Sequence, residues 1–149
     1  MSTTYFDYSF GLSEIIPSGN RQKSDSACAF YKVVGQALKD IDKQGIFPTK
    51  KLVFIFILQF FSNQEEYQKR DIDNMCKTML AALKNKIYED DVQVKTLLIS
   101  KQINSKIPVN FVYIGIKLSD YKDNTGMVKV NINNAISLFQ GSVKQAVEK

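Results

Sequence analysis

Apolar and polar residues alternate in several stretches of this chain, and a period of two is typical of strands that bury one face. Residues 52–61 (LVFIFILQFF) differ, because they are apolar without alternation and rich in β-branched and aromatic side chains. This composition predicts a central strand that is buried on both faces. Three further strands are predicted by the alternating stretches 5–12, 92–98 and 112–118.

The alternation in the stretch 92–98 assigns each residue near its start to one of the two faces of the predicted strand. Val92 and Val94 take the apolar face of the predicted strand, whereas Asp91, Gln93 and Lys95 take the polar face. Residues 89–91 are all acidic, and the alternation selects Asp91 as the one that projects from the polar face at the start of this strand.

Helices are predicted where apolar residues recur at steps of three and four. The first helix is capped by Ser24 or Ser26 and stops before Gly45. The second begins at Asp71 or Asp73. We expect Asp73 to be the cap, because its side chain can accept hydrogen bonds from the amides that follow.

The chain ends in a third predicted helix. Residues 127–149 begin with a short alternation and continue as a helix with one apolar stripe, interrupted at Gly141. This helix either packs on the sheet or forms a dimer contact, and the sequence leaves both roles open.

The order of the predicted elements defines the fold class. It is strand, helix, strand, helix, strand, strand and helix, which indicates an α/β or α+β fold with a small mixed sheet and helices packed on it. The length is that of one domain. We expect a single domain over residues 1–149, in which 120–149 form a C-terminal extension.

The composition limits the chemistry that this chain can perform. It contains no histidine, which excludes Ser-His and Cys-His triads, histidine general bases and most transition-metal sites. Cys28 and Cys76 form no CxxC pattern, so they indicate no zinc site and fit a reducing compartment. A net charge of +5 favours polyanionic partners. Catalysis must therefore use carboxylates, lysines, hydroxyls or hard metal ions.

The sequence also suggests a cytoplasmic location. The first residues lack the basic and apolar regions of a signal peptide. The apolar run 52–61 is too short to span a bilayer as a helix, which takes about 20 residues.

Candidate chemistry concentrates between residues 69 and 94. Asp71 and Asp73 are two positions apart, so in extended backbone both side chains project to the same side. Lys77 lies one helical turn after Asp73 and can reach that side. If the strand after Asp91 pairs near the end of the strand that leads to Asp71, three carboxylates converge. A cation is then needed to neutralise them, and Mg²⁺ suits such oxygen ligands.

Such a site can hydrolyse a phosphodiester without histidine. A bound metal makes a water more acidic, and Lys77 could neutralise the scissile phosphate or the leaving oxygen. The same residues also have an ordinary interpretation, with Asp73 as a helix cap, Asp71 and Arg70 as an exposed pair, and residues 89–91 as a solvated turn. Spacing alone leaves both interpretations open.

The same stretch resembles a known family. Its residues match, with the spacing intact, the signature of the RusA-like Holliday-junction resolvases, which reads RDxDN, a lysine, an Ala-Leu pair and DD followed by xQV. The matching segments are 70–74 (RDIDN), Lys77, 82–83 (AL) and 88–94 (YEDDVQV). Residues 17–21 (PSGNR) are similar, more weakly, to a PxxNR-like segment of the family. The resemblance covers roughly residues 5–118. One departure is Ala81, where some members carry an acidic residue.

The resemblance implies a RusA-like fold and an activity. The activity is that of a homodimeric, Mg²⁺-dependent endodeoxyribonuclease that resolves four-way DNA junctions by paired nicks in recombination and repair, with Mn²⁺ as an alternative metal. By position, Asp71, Asp73 and Asp91 correspond to the metal-binding and catalytic carboxylates of the family, and Lys77 corresponds to its catalytic lysine.

Basic residues near these acids are expected to contact the DNA backbone. They are Arg21, Lys23, Lys69 and Arg70, with Lys84 and Lys95 as further contacts. Two other functions stay open: a catalytically inactive nucleic-acid-binding protein with the RusA fold, and a nuclease for other branched DNA. The intact set of three aspartates and Lys77 argues against the first, and the sequence does not separate the second from junction resolution.

Overall fold

The computed structural model of the protein describes residues 5–18 and 25–148, with side chains up to residue 144. The predictions for the basic residues Arg21 and Lys23 and for a cap at Ser24 lie outside the described residues.

A four-stranded mixed sheet and four α-helices make up the described part of the chain. The strands are β1 (Tyr8–Leu12), β2 (Leu52–Phe60), β3 (Val94–Gln102) and β4 (Phe111–Ser119). The helices are α1 (Asp25–Ala37), α2 (Gln64–Gln68), α3 (Ile72–Leu83) and α4 (Gly126–Glu148). The strand order is β1-β4-β2-β3, with β1 antiparallel to β4 and β2 parallel to β3. The predicted α+β class with a small mixed sheet is confirmed.

One hydrophobic core joins α1 and α3 to one face of the sheet. Alternate residues of the two inner strands point into it, because successive side chains of a strand project to opposite faces. The fully buried members include Val34, Ile55, Ile57, Met75, Met79, Leu83, Ile114 and Ile116. Burial of each such side chain stabilises the fold by roughly 1.5–3 kcal/mol.

Aromatic rings occupy the opposite face of the sheet. Phe6 lies over Gly115, where an added Cβ would be 2.6 Å from the ring, and Phe111 lies over Gly11 at 2.2 Å by the same measure. Phe6 also packs on Phe56, with ring centroids 5.7 Å apart. Phe6 therefore lies on the face opposite to the core and precedes the strand, although the alternation predicted a strand over 5–12, since the described strand begins only at Tyr8.

The parallel pairing of β2 and β3 decides where the candidate site residues lie. Two parallel strands need a crossover connection, and α2 and α3 provide it here. Helix α3 therefore returns from the end of β2 towards the start of β3.

Several predicted boundaries differ from those observed. Helix α1 begins at Asp25, so Ser26 lies within its first turn rather than capping it. Gly45 does end a helical segment, with φ of 75°, but this segment is a separate 3₁₀ turn, Ile41–Gln44. Short helix α2 is an element that the hydrophobic pattern did not predict. Helix α4 starts at Gly126 without an alternating segment and continues through Gly141.

Helix α4 belongs to a second compact unit, which begins at Ser119. Several of its apolar side chains, including Leu138 and Phe139, are exposed. Its packing or dimer role and the division of residues 1–149 into a domain and an extension stay predictions. Among the described residues, no helix combines the length and apolarity that a membrane span requires. The cytoplasmic location stays a prediction as well.

Candidate active site

The N-terminus of α3 presents Asp71 and Asp73. Asp71 has an extended backbone, and its carboxylate accepts hydrogen bonds from the backbone N–H of Asp73 (3.0 Å) and from Asn74 Nδ2 (3.2 Å). Asp71 is therefore the N-cap, and the prediction that Asp73 caps the helix is wrong. The helix begins at Ile72, whose side chain is 39% exposed. Both carboxylates lie where the helix dipole favours negative charge.

Lys101, at the end of β3, fixes the backbone that leads into Asp71. Its ammonium group donates to the carbonyl oxygens of Tyr67 (2.9 Å) and Arg70 (2.8 Å). It also lies 4.2 Å from the centroid of the Tyr67 ring, a distance that favours a cation–π interaction. The sequence interpretation missed this residue. The sequence feature that could have identified Lys101 is a lysine in a strand that is otherwise rich in apolar side chains.

One exposed face of α3 runs from this acidic end to the other end of the helix. Lys77 Nζ lies 3.6 Å from Asp73 Oδ2, as their spacing of four residues predicts. Further along, a cleft of about 410 Å³ is lined by Lys77, Leu80, Ala81, Lys84 and Asp91.

Asp91 lies in a 3₁₀ turn, Asp91–Gln93, and not in a strand. The preceding Asp90 caps this turn through its side chain, which accepts from the backbone N–H of Val92 (3.1 Å). The predicted faces are therefore wrong: Val92 is 80% exposed and Gln93 is 8% exposed, because a 3₁₀ turn does not have the period of a strand. Asp90 is the cap of this turn, and the choice of Asp91 over Asp90 stays a prediction.

Tyr88 connects Asp91 to α3. Its fully buried side chain places the hydroxyl oxygen 2.8 Å from the carbonyl oxygen of Leu80 and 3.1 Å from Asp91 Oδ1. A hydroxyl has one proton, so it donates to one of these acceptors at a time. Burial and then the charge of Asp91 raise the pKa of Tyr88 well above its usual value. Sequence reasoning gave this tyrosine no role, although it begins the YEDD segment.

The structure groups some of the predicted residues and separates others. Asp73 meets Lys77, and Asp91 lies 3.9 Å from Lys84. Helix α3 is about 18 Å long, at 1.5 Å per residue, and it lies between Asp71 at one end and Asp91 near the other. No group of three or more acidic or cysteine side chains that could hold a metal ion occurs within the described residues.

The predicted DNA contacts next to the acidic end are paired with acids of α2. Lys69 lies 3.1 Å from Glu65, and Arg70 lies 3.2 Å from Glu66. Arg70 is also partly buried, and within the described residues its Nε has no hydrogen-bond partner. Their role in DNA binding stays a prediction, as does the assignment of Asp71, Asp73, Asp91 and Lys77.

The chain forms a strand–crossover–strand unit that has acids at the two ends of α3 and lysines between them. This order of elements and residues is the one expected of the RusA-like resolvases. A comparison with protein-family models matches residues 50–132 to the family described as Endodeoxyribonuclease RusA. Because the match covers more than half of the chain, the chain belongs to the RusA endodeoxyribonuclease family. This confirms the resemblance and assigns the protein to a family of Holliday-junction-resolving nucleases. A comparison with curated proteins gives no match.

The family implies a divalent metal ion. The predicted carboxylate ligands can therefore be compared with the ligands that such an ion prefers. Asp71 and Asp73 are exposed carboxylates two residues apart at one helix end, and carboxylates with water suit a hard cation such as Mg²⁺. The donor chemistry of Asp71 and Asp73 therefore suits the metal, but Asp73 lies within the helix, so the extended backbone that was predicted to project both carboxylates to the same side is not observed. Asp91 is not grouped with them in the part of the chain described here.

Proposed function

We propose that this protein is a Mg²⁺-dependent endodeoxyribonuclease that resolves four-way DNA junctions as a homodimer. The observation that carries the proposal is the exposed face of α3, which aligns Asp73, Lys77, Lys84 and Asp91. Acids at the two ends with lysines between them suit a metal and a phosphate on the same surface, because the acids attract the cation and the lysines attract the DNA backbone.

Each residue has a defined task in this proposal. Asp71 and Asp73 hold the metal, and Asp71 is kept in place by its two hydrogen bonds at the helix cap. When bound, the metal supplies a more acidic water and neutralises charge on the phosphate. Lys77 is released from Asp73 to donate to a phosphate oxygen, and its exposed side chain allows this movement.

Asp91 completes the site across the dimer. A two-fold axis beside α3 and perpendicular to it would set the helices of two copies antiparallel, so that Asp91 of one copy approaches Asp71 and Asp73 of the other. Two exposed apolar side chains support this arrangement, since Ile72 lies beside the first pair and Val92 lies beside Asp91. The same pairing would bring Ile72 of one copy towards Val92 of the other and bury both.

Cleavage of a synthetic four-way junction tests the proposal. The protein is incubated with the junction and with a linear duplex of the same arm sequence, in Mg²⁺, in Mn²⁺ and in EDTA. We expect symmetric nicks near the branch point with metal, and binding without nicks in EDTA. Tight binding without cleavage in either metal would instead support the inactive binding protein. Equal cleavage of flaps or forks would support a nuclease for other branched DNA.

A further inference from the structure

The side chain of Gln93 is buried and fully hydrogen-bonded. Its amide oxygen accepts from the backbone N–H groups of Glu89 (2.9 Å) and Asp90 (2.8 Å). Its amide nitrogen donates to the backbone carbonyl oxygens of Thr49 (2.7 Å) and Lys51 (2.9 Å). Two donated and two accepted bonds are the full capacity of a glutamine amide.

These four bonds join two distant segments of the chain. Thr49 and Lys51 lie just before β2, while Glu89 and Asp90 lie just before the turn that carries Asp91. A backbone bond from the N–H of Thr49 to the carbonyl of Ile87 (2.9 Å) adds to the connection. The turn is therefore fixed to the sheet from the side opposite to its exposed residue, Val92.

We infer that Gln93 is a positioning residue for Asp91, an inference that rests on the proposed function. Gln93 acts on the backbone and not on the Asp91 carboxylate: it fixes the backbone immediately before Asp91 and is itself the last residue of the same turn. Tyr88 and Lys84 then meet the carboxylate from the side of α3. The backbone and the carboxylate of Asp91 are thus fixed from two sides.

An apolar side chain of the same size could fill the space but could not replace the four bonds. The N–H groups of Glu89 and Asp90 and the carbonyls of Thr49 and Lys51 would lose their shared partner, and buried polar groups without partners are costly. The turn would then relax outward to reach water, and Asp91 would move with it.

The test compares Gln93→Met with Gln59→Met in the full-length protein. Gln59 is the matched control, because its amide is also buried and bonded to backbone. Its amide oxygen accepts from the N–H of Ile16 (2.9 Å), and its amide nitrogen donates to carbonyls that include that of Glu14 (2.9 Å). It lies at the other end of β2, away from the Asp91 turn. Three quantities are measured: the single-turnover nicking rate per folded molecule, junction affinity in EDTA, and amide hydrogen exchange.

For Gln93→Met we expect the nicking rate to fall roughly 10- to 100-fold, as for other residues that hold a metal-site ligand in place. Junction affinity in EDTA should change less than about twofold, since the lysines stay in place. The amides of Glu89 and Asp90 should exchange roughly tenfold faster. Gln93→Glu keeps both acceptor positions for these amides, and we expect a smaller loss of rate. Gln59→Met should lower stability without lowering the rate per folded molecule.

Two results would overturn the inference: a nicking rate in folded Gln93→Met equal to that of the wild type, or an equal loss in Gln59→Met. Failure of the proposed function is distinguishable, because the wild-type protein itself would then not cleave junctions. Hydrogen exchange at Glu89 and Asp90 would still report whether Gln93 fixes the turn. Unchanged exchange there would overturn the inference without any activity measurement.

Discussion

The hydroxyl of Tyr88 lies 3.1 Å from the carboxylate of Asp91, on a side chain that is fully buried. A residue of the candidate site is therefore tied directly to the hydrophobic core. This contact has consequences for stability that need no knowledge of the substrate.

Tyr88→Phe should make the protein less sensitive to alkaline pH. Burial and the Asp91 charge raise the pKa of Tyr88 in the folded state above its unfolded value of 10.0. The unfolded chain therefore loses this proton first, and the wild-type protein loses stability as pH rises above about 10. Urea unfolding between pH 9 and about 11 should show a shallower decline for Tyr88→Phe. Equal slopes for the two proteins would contradict the prediction.

Asp73→Asn should abolish junction cleavage and preserve or improve junction binding, because it removes a proposed metal ligand and a charge that repels phosphates. Its stability should change by less than about 0.5 kcal/mol, since the ion pair that it loses, with Lys77, is exposed. Glu65→Gln is the matched control, because Glu65 forms an exposed pair with Lys69 at the same spacing of four residues. Normal cleavage by Asp73→Asn would show that the site is misassigned.

Mixtures of inactive variants test whether Asp91 acts across the dimer. Asp71→Asn and Asp91→Asn are denatured together and refolded as a mixture. A mixed dimer then carries one site with both changes and one with neither, so roughly a quarter of the wild-type sites should recover. Nicking of the junction in single-turnover assays measures this recovery. A mixture of Asp71→Asn with Asp73→Asn should recover nothing, because both residues lie on the same side of the site. Absence of recovery in the first mixture would place all three acids within one chain.

Lys101→Met should destabilise the connection between α2 and α3. The variant loses two charged hydrogen bonds to the carbonyls of Tyr67 and Arg70, and such bonds contribute roughly 1.5–3 kcal/mol each. Urea denaturation should show a loss of this order. Lys43→Met, which removes an exposed pair with Asp40, should lose almost nothing. A loss for Lys101→Met no larger than that of the control would contradict this role.

Gly115→Ala should lower the free energy of unfolding by roughly 1–3 kcal/mol, because the added Cβ would lie 2.6 Å from the ring of Phe6. The ring belongs to a side chain and can move, so the cost depends on how far it shifts. In the background of Phe6→Ala, the same change should cost much less. Thermal unfolding of the four proteins in this cycle gives the coupling between the two positions.

The sequence predicted the fold class and the main elements because periods of two and of three to four are directly visible along the chain. The placement of single residues near element ends was less predictable. Residues 91–93 continue the alternation of β3, yet the cap at Asp90 turns the backbone into a 3₁₀ segment and reverses which side chains are buried. At the start of α3, Asp71 and Asp73 are both good caps by chemistry. Only the position of the first helical residue, Ile72, distinguishes them.

The sequence predicted which residues belong to the candidate site but not how these residues are arranged in space. Spacing showed that Asp73 and Lys77 would meet, since this depends on one helix alone. The position of Asp91 depends on the direction of β3 relative to β2, and a sequence does not state whether two neighbouring strands are parallel. Lys101, Tyr88 and Gln93 were missed as supporting residues because their partners are backbone atoms or residues on other elements.

The parallel register that aligns Val53 with Val94 also has a consequence for folding kinetics. Asp71, Asp73, Lys77, Lys84 and Asp91 all lie between these two positions in the chain, so β2 and β3 can pair only by closing a loop that contains them. Loop closure costs entropy before any sheet contact offsets it, which makes such pairing slow compared with local hairpins. The site is therefore assembled only when this long-range step is complete, and a partly folded chain cannot carry a working arrangement of Asp73, Lys77 and Asp91.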